Sequence, residues 1–458
     1  MRTSTKPNII LINCDDLGYG DLGVYGSPYN KTPALDRLAA EGIRFTDFYM
    51  ASPLCSPSRG AMMTGCYPSR IGFGSFDGLC VLFPGQGVGL NPSEITIARL
   101  LKDAGYATAI VGKWHCGDQP EFLPTRHGFD EYYGLPYSND MGRQPRFWWP
   151  THPAVPPNPP LPLMENDTVI EEQPDQASLT ARYCERSLRF IRQHRDEPFF
   201  LYLAHMYVHL PLYVPDRFRK ESVNGDYGAA VAAIDWCTDV ILHELRSLGI
   251  DENTLMIFTS DNGSNCGARG GSNVPLRGTK ASMFEGGFRV PCLMRWPGHI
   301  PAGAVVEGMT WSMDFYKTLA NLAGAAVPTD RMIDGADILP TLLDPAVPLP
   351  DRPFFYYQMD ELHAVRYGDY KYNGVQKTLY DLRKDVGESV NLFDARSEIV
   401  ARMESLLAQC RTDLGDTRTG VQGANIRPAG RVANPKTLTE YREDHPYYMA
   451  MYDKPDAG

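Results

Sequence analysis

A short segment at residues 54–60 places a potential nucleophile and a cation close together. Its sequence is LCSPSRG, in which Cys55 carries a thiol and Arg59 carries a guanidinium four positions later. If a helix begins just after Pro57, Cys55 lies at the positive N-terminal end of that helix and Arg59 points back toward the same spot. An anion binds well in such a place. An inert cysteine in a Ser/Pro loop fits the same segment, so the assignment depends on groups elsewhere in the chain.

Carboxylate and amide side chains follow two strand-like apolar runs. Two acids come after the first run and an acid and an amide come after a later one; these residues are Asp15, Asp16, Asp261 and Asn262. Because strands end at a common edge of a sheet, one pocket can gather all four side chains, and a cation must then offset the mutual repulsion of the carboxylates. Hard oxygen ligands suit calcium or magnesium rather than zinc, and a flexible shell of about six to eight oxygens favours calcium. A purely structural ion is the alternative.

Lysine and histidine side chains also come just after apolar runs. Lys113 and His115 are two positions apart, directly past a strand-like segment. If the chain stays extended there, both side chains share one face, where they can bind an anion and move a proton. An ordinary surface pair explains this spacing equally well. His205 and His209 follow the next such run, and Lys280 supplies another cation further along.

The composition limits what this chain binds and where it works. The 458 residues carry a formal net charge of -11, which excludes nucleic acid as a partner and requires a local positive pocket for any anionic substrate. No apolar run is long enough to span a membrane, and the first residues lack the apolar core of a signal peptide. The 10 scattered cysteines predict neither a disulfide scaffold nor a zinc module, and they favour a reducing compartment. We expect a cytoplasmic location, or a periplasmic or secreted one if a leader has been removed.

Alternating helix and strand patterns predict an α/β fold with polar groups at the ends of strands. Helices are predicted at 32–42, 91–105, 178–194, 227–248 and 312–323. The second of these starts with a capping-box pattern and Pro92 at the first helical position. Residues 145–162 form an irregular excursion rich in Pro and Trp, including Trp148 and Trp149, which we interpret either as a wall of the pocket or as plain surface.

The character of the sequence changes at the Pro-rich stretch 345–353. Beyond it, short runs between 354 and 380 predict an antiparallel sheet, and 398–414 predicts a helix across that sheet. The polar remainder of the chain is expected to be an arm that wraps the body or a neighbouring subunit. We therefore predict a catalytic domain at 1–350 and a C-terminal subdomain with an extended tail at 351–458.

Several of these patterns together resemble the type I sulfatases, a formylglycine-dependent family of the alkaline phosphatase superfamily. The pattern Cys-x-Pro-Ser-Arg from Cys55 to Arg59 resembles the family signature, and Gly-Lys-Trp-His at 112–115 is a second specific match. The acidic pairs and Lys280 stand in the family's order along the chain. The C-terminal segment also resembles that of arylsulfatase A and its relatives.

The resemblance implies a large central mixed sheet flanked by helices, as in alkaline phosphatase, with a smaller C-terminal antiparallel sheet and helix. It implies a sulfuric ester hydrolase in which an enzyme has converted Cys55 to formylglycine. The implied catalytic residues are Cys55, Arg59, Lys113, His115, His209 and Lys280. The implied metal ligands are Asp15, Asp16, Cys55, Asp261 and Asn262, and the implied substrate-binding residues are Lys113, Ser138, His209 and Lys280.

The mechanism implied by the resemblance has two steps. The hydrated aldehyde (gem-diol) at residue 55 attacks the sulfur of a sulfate monoester, an aryl sulfate or a sulfated sugar, to give a sulfo-enzyme intermediate. His209, ranked ahead of Lys280, protonates the leaving alcohol, and His115 then takes a proton from the remaining hydroxyl to expel sulfate. His205 is expected only to support or pack.

The implied substrate is a small-molecule sulfate ester. The implied metal ion is calcium, with magnesium less favoured, and the implied maturation partner is the formylglycine-generating enzyme. We expect neither a nucleic acid nor a membrane partner, and the oligomeric state is open, with a homo-oligomer among the alternatives. Two other functions fit the same residues. One is a phosphate or phosphonate ester hydrolase of the same superfamily, and the other is a non-catalytic sulfated-sugar binding protein in which Cys55 is never converted.

Overall fold

Strands and helices alternate along most of the chain, as the sequence predicts. The computed structural model describes residues 6–144, 158–265, 269–442, 444, 452–454 and 456, so Trp148 and Trp149 of the predicted pocket wall lie outside the described residues. The strands are β1 Asn8–Cys14, β2 Ile43–Phe45, β3 Phe48–Tyr49, β4 Val88–Gly89, β5 Ala107–Gly112, β6 Glu131–Gly134, β7 Pro162–Glu165, β8 Thr168–Glu172, β9 Phe199–Ala204, β10 Thr254–Ser260, β11 Cys292–Arg295, β12 Ala304–Val306, β13 Thr310–Trp311, β14 Phe354–Gln358, β15 Glu361–Tyr367, β16 Tyr370–Asn373, β17 Thr378–Asp381 and β18 Gly430–Arg431. The α-helices are α1 Pro33–Ala40, α2 Cys55–Thr64, α3 Ile97–Asp103, α4 Gln176–Gln193, α5 Asp216–Arg219, α6 Gly225–Ser247, α7 Glu285–Phe288, α8 Asp314–Ala323, α9 Leu339–Leu343 and α10 Ser397–Leu414.

A ten-stranded mixed sheet forms the centre of the molecule, in the order β12-β2-β11-β10-β1-β9-β5-β6-β7-β8. The first strand, β1, lies between β10 and β9 and runs parallel to both, and β5 runs parallel to β9. The next strand beyond β10, β11, is antiparallel, which makes the sheet mixed. Because β1, β5, β9 and β10 all run in one direction, the residues that follow them emerge at the same edge of the sheet.

Helices cover both faces of this sheet. Along β1, Ile10 and Ile12 belong to the buried cluster that contains residues of α4 and α6, whereas Ile9 and Leu11 belong to the cluster that contains residues of α3 and α8. All seven residues of β1 are buried, which is typical of a parallel strand with helices on both sides. The predicted α/β fold with a large central mixed sheet is confirmed.

A four-stranded antiparallel sheet of β14 to β17 forms the smaller C-terminal unit, and α10 packs against it. Its apolar side shares one buried cluster with Tyr49 and Phe288 from the first part of the chain. Further on, β18 pairs antiparallel with β4, so the predicted C-terminal arm contacts the body. The division into 1–350 and 351–458 stays a prediction.

Two helices begin at positions other than those predicted. Helix α2 begins at Cys55 rather than after Pro57, because proline is tolerated in the first turn, where its missing N–H leaves no bond unmade. Helix α3 begins at Ile97 rather than at Pro92. The hydroxyl of Thr96 accepts the N–H of Arg99 and so caps α3 five residues after the predicted capping box.

The structure also bears on membrane-spanning helices and on the state of the cysteines. Among the described residues, no helix combines the length and the apolar character needed to traverse a bilayer. The nine cysteines in the described part of the chain are free thiols.

Candidate active site

The candidate nucleophile lies at the N-terminus of α2, at the edge of the sheet where β1 and β10 end. Cys55 is the first residue of the helix and its exposed fraction is only 2%. Burial raises the pKa of the Cys55 thiol to about 11, despite the nearby Lys113 and Lys280. An unmodified thiol at this position is therefore protonated at neutral pH and a weak nucleophile.

Arg59, one turn further along α2, joins three of the loops that leave the sheet. Its guanidinium lies 2.8 Å from Asp261 Oδ2 and 3.2 Å from Asp15 Oδ2. It also donates to the backbone carbonyl of Lys113 at 2.8 Å. Since Asp15 follows β1, Lys113 follows β5 and Asp261 follows β10, one buried cation fixes the relative positions of all three loops.

A chain of polar contacts runs from Asp15 to His209. The Lys113 ammonium lies 2.5 Å from Asp15 Oδ2 and donates to Ser138 Oγ at 3.0 Å. The Ser138 hydroxyl lies 3.3 Å from His209 Nε2. Burial alone would raise the pKa of Asp15, but Lys113 and His209 hold it below the ordinary value. The structure thus brings together three predicted substrate-binding residues with the first acidic pair.

Asp16 makes a second set of contacts beside the first. Its Oδ2 lies 3.0 Å from Lys280 Nζ, and its Oδ1 accepts from the amide of Asn262 at 2.7 Å. The backbone N–H of Asp16 donates to Asp261 Oδ1 at 3.2 Å. Asp16 has a φ of 62°, in the left-handed region that non-glycine residues rarely adopt, and this conformation accompanies its turn out of the strand.

Three features of this cluster fit a metal ion. Oδ1 of Asp15 and Oδ1 of Asn262 are buried and have no hydrogen-bond partner among the described residues. One carboxylate oxygen each from Asp15 and Asp16 and a ring nitrogen of His209 lie within 4.8 Å of one another. Burial, and after it the nearby Asp15, raise the pKa of Asp261 to about 6, so this carboxylate is poorly compensated where it lies. A hard cation would satisfy these oxygens.

The two site histidines have distinct hydrogen bonds. His115 has a φ of 59°, so the chain does not stay extended past Lys113, the condition on which a shared face depended. The backbone turn still leaves the His115 ring buried beside the site. Its Nε2 lies 2.9 Å from the carbonyl of Leu82 and therefore donates, which leaves the buried Nδ1 as the proton acceptor. Burial and then Lys113 lower the His115 pKa well below its ordinary value. The ring is thus neutral, with its Nδ1 unprotonated.

His209 and Lys280, the two predicted proton donors, differ in their charge environment. The Nδ1 of His209 lies 2.6 Å from the carbonyl of Leu210, and burial followed by Lys280 lowers the His209 pKa. Burial also disfavours charge on Lys280, but Asp16 raises its pKa well above the ordinary value. His205 is buried, and neither of its ring nitrogens has a hydrogen-bond partner among the described residues.

Two contributors to the site were not predicted from the sequence. The Leu82 carbonyl sets the orientation of His115, and the irregular loop that contains Leu82 has no periodic pattern to reveal it. Gly112 has a φ of 117°, and a Cβ there would lie 1.8 Å from the carbonyl oxygen of Ala204. The glycine before Lys113 was part of the resemblance, but its steric role needed the three-dimensional contact with β9.

The fold and the site together define a class of protein, the hydrolases of anionic esters that are built on an alkaline phosphatase-like sheet. The family profile described as Sulfatase matches residues 7–325, and the profile described as N-sulphoglucosamine sulphohydrolase, C-terminal, matches residues 279–413. The chain belongs to the sulfatase family.

Individual relatives agree with this assignment. N-acetylgalactosamine-6-sulfatase of Rattus norvegicus is 44% identical over 382 residues, which cover 80% of this chain and 71% of that protein. Arylsulfatase A of Homo sapiens is 40% identical over 436 residues, or 86% of this chain and 84% of that one. The crystal structure of Ps i-CgsB in complex with k-i-k-neocarrahexaose has a TM-score of 0.78 at 31% identity and covers 88% of this chain and 92% of that one. The prediction of a sulfuric ester hydrolase is confirmed.

Proposed function

We propose that this chain hydrolyses a sulfate monoester with a formylglycine nucleophile made from Cys55. The observation that carries the proposal is the position of residue 55. It is buried at the N-terminus of a helix, next to Lys113 and Lys280 and one helical turn from Arg59. These positive groups favour an anion at that point, whereas the Cys55 thiol itself is held protonated.

The residues that hold the sulfate group are Lys113, Ser138, His209 and Lys280. Lys113 is buried and the side chain of Lys280 is only 8% exposed, so each stabilises negative charge on sulfuryl oxygens far more strongly than an exposed lysine would. Ser138 lies between Lys113 and His209 and keeps the two side chains in one arrangement. The charge that develops as the ester bond breaks is therefore met by groups already in place.

Asp15, Asp16, Asp261 and Asn262, with residue 55, would hold the metal ion. All four side chains offer oxygen ligands, which supports calcium, with magnesium second. When bound, the ion supplies positive charge beside the nucleophile and the sulfuryl group. Arg59, which contacts Asp15 and Asp261, keeps both carboxylates oriented.

Proton movements are assigned to the two site histidines and Lys280. Formylglycine supplies a hydrated aldehyde, whose second hydroxyl gives a route to release sulfate after the ester is cleaved. His115 takes the proton of that hydroxyl on Nδ1, since Nε2 is committed to Leu82. Lys280, which Asp16 keeps protonated, supplies the proton of the leaving alcohol; His209, ranked first from the sequence, has a lowered pKa and is the alternative donor.

The proposed substrate class is a sulfated sugar. One relative is named for its action on an N-acetylgalactosamine sulfate, and the i-CgsB structure holds a neocarrahexaose. The proposed maturation partner is a formylglycine-generating enzyme. With Cys55 buried to 2% exposure, that enzyme must reach the segment 54–60 before the chain closes around it.

Parallel kinetics on two aryl esters test the proposal. We expect kcat/KM for 4-nitrophenyl sulfate to exceed that for 4-nitrophenyl phosphate, because the chain belongs to the sulfatase family. A preference for the phosphate ester would favour the phosphatase alternative. Binding of a sulfated sugar without turnover of any ester would favour the non-catalytic alternative.

A further inference from the structure

A cluster of buried charges joins the C-terminal sheet to the catalytic domain. We call it the junction cluster; its members are Asp47, Glu285, Arg289, Arg366, Lys371 and Glu388. Glu285 and Glu388 have exposed fractions of 0%, and that of Lys371 is 1%. Three acids and three bases balance one another, so the cluster is neutral as a whole. None of these side chains takes part in the proposed chemistry.

Glu285 lies at the centre of the junction cluster. Its carboxylate accepts from the Tyr49 hydroxyl, from the Tyr356 hydroxyl at 2.7 Å and from Lys371 Nζ at 3.1 Å. Lys371 also lies 2.8 Å from Glu388 Oε1, and so bridges the two glutamates. Burial alone would raise the pKa of Glu285, but Lys371 and the neighbouring arginines hold it at about 2. The glutamate is therefore charged and tied to the C-terminal sheet.

The same glutamates close the loop that carries Lys280. Glu388 Oε2 accepts the backbone N–H of Glu285 at 2.7 Å, and the Glu388 carbonyl accepts from Arg277 Nη1 at 2.8 Å. The carbonyl of Arg277 in turn accepts the N–H of Gly286 at 2.7 Å. Both ends of the segment 277–286 are thus held by Glu388, and Lys280 lies within that segment.

The looped segment is also fixed against the metal-site residues. The N–H of Lys280 donates to the carbonyl of Ser264 at 3.0 Å, and the N–H of Gly263 donates to the carbonyl of Gly287 at 3.1 Å. Gly263 directly follows Asn262. A shift of the segment 277–286 would therefore move Lys280 relative to Asp16, its partner at 3.0 Å.

Stability alone does not explain a cluster of this kind. Buried ion pairs are often no more stabilising than well-packed apolar residues of the same size, because both charges lose their hydration. Apolar contacts already join the two parts here; the rings of Phe288 and Tyr356 are 4.8 Å apart. The hydrogen bonds and ion pairs of the junction cluster add a fixed geometry to these apolar contacts, since each hydrogen bond specifies the position of both partners.

We propose that Lys371 and Glu388 are positioning residues for sulfate ester hydrolysis, which hold the segment 277–286 so that Lys280 stays beside Asp16. The inference rests on the proposed role of Lys280. It gives the C-terminal sheet a part in the reaction through the segment that carries Lys280. The site is then complete only when this sheet is docked.

A charge-balanced pair of substitutions tests the inference. Lys371→Met with Glu388→Gln removes one charge of each sign, so the cluster stays neutral and the protein is expected to fold. We expect kcat/KM for 4-nitrophenyl sulfate to fall about 10- to 100-fold, since a displacement of about 1 Å near the chemistry costs rates of this order. The matched control is Arg295→Met with Asp251→Asn, an ion pair of 2.7 Å between buried Arg295 and half-buried Asp251 that lies toward the start of β10, away from the site. The control should stay within about twofold of the wild type.

A cycle with Lys280→Met shows whether the effect passes through Lys280. If it does, adding the Lys371/Glu388 pair to Lys280→Met causes no further loss of kcat/KM. A full multiplicative loss, or a pair variant as active as the control, would overturn the inference. Should the pair variant not fold, Lys371→Arg takes its place in the same double-mutant cycle with Lys280→Met. This variant keeps the positive charge but moves the N–H donors away from Glu285 and Glu388. If the proposed role of Lys280 is itself wrong, the Lys280→Met variant alone will have wild-type activity, which distinguishes that failure from a failure of this inference.

Discussion

At the scale of single residues, the site is a balance of buried charges. Arg59, Lys113 and Lys280 face Asp15, Asp16 and Asp261, so cations and acids are equal in number before any ion binds. A divalent cation leaves the pocket positive, which suits an anionic substrate and an anionic nucleophile. The pKa of Asp261 is raised first by burial and then by Asp15, and a cation bound beside it would oppose that rise.

Cys55→Ala should abolish turnover and leave the fold intact. The substitution removes the thiol from which formylglycine is made. The small volume change at the start of the helix should cost no more than about 1–2 kcal/mol of unfolding free energy. Sulfate release and thermal unfolding measure the two effects. Cys237→Ala, at a buried thiol in α6, is the matched control and should remain active. Persistent activity of Cys55→Ala would refute the nucleophile assignment.

His115→Ala should separate the two halves of the reaction. Without Nδ1 as proton acceptor, the enzyme should release about one equivalent of alcohol rapidly and then stall with sulfate retained on the protein. Rapid-quench measurement of 4-nitrophenol and intact-protein mass spectrometry detect both. His205→Ala, at another buried histidine, should keep steady-state turnover. Unchanged steady-state rates in His115→Ala would remove the role given to this ring.

At the scale of elements, the site depends on where strands and helices end. The ends of β1 and β10 were predictable, because apolar runs followed by acids are visible in the sequence. The start of α2 and the left-handed turn at His115 were not, because each depends on backbone contacts rather than on local periodicity. The candidate residues were therefore found, while the way the chain presents them was not.

Gly112→Ala should lower the free energy of unfolding by more than Gly105→Ala does. Both glycines have positive φ, of 117° and 87°, which costs an alanine about 1–2 kcal/mol. Only at Gly112 would the new Cβ meet the backbone of Ala204, whereas the space around Gly105 is open. Chemical denaturation should show that Gly112→Ala loses about 1–3 kcal/mol more unfolding free energy than Gly105→Ala. Equal losses for the two variants would contradict a close approach of β5 to β9.

At the scale of the whole molecule, the prediction from sequence was best for elements and weakest for long-range contacts. The alternation of helices and strands, the C-terminal antiparallel sheet and α10 follow from apolar periodicity, whereas the mixed sheet was implied by the family resemblance. Helix α4 begins at Gln176 where the pattern predicted 178. The contact of Arg59 with the Lys113 carbonyl and the bridge from Lys371 to Glu285 have no local signal, since each joins segments that meet only in the folded chain.

Metal removal should act on the whole fold as well as on the rate. The proposed ligands come from loops after β1 and β10, so an ion that binds only the folded state stabilises it by mass action. We expect chelation to abolish turnover and lower the unfolding temperature, and calcium to restore both better than zinc. Calorimetry with each ion measures the shift. An unfolding temperature and a rate that are both indifferent to chelation would contradict a metal site at these loops.

The most direct measurement is peptide mass spectrometry of residues 54–60 in enzyme whose specific activity is known. Preparations made with and without a formylglycine-generating enzyme should differ in the fraction of residue 55 carrying an aldehyde. We predict that sulfatase activity rises in proportion to that fraction and is absent when it is zero. Full activity in protein that contains only unmodified Cys55 would contradict the account.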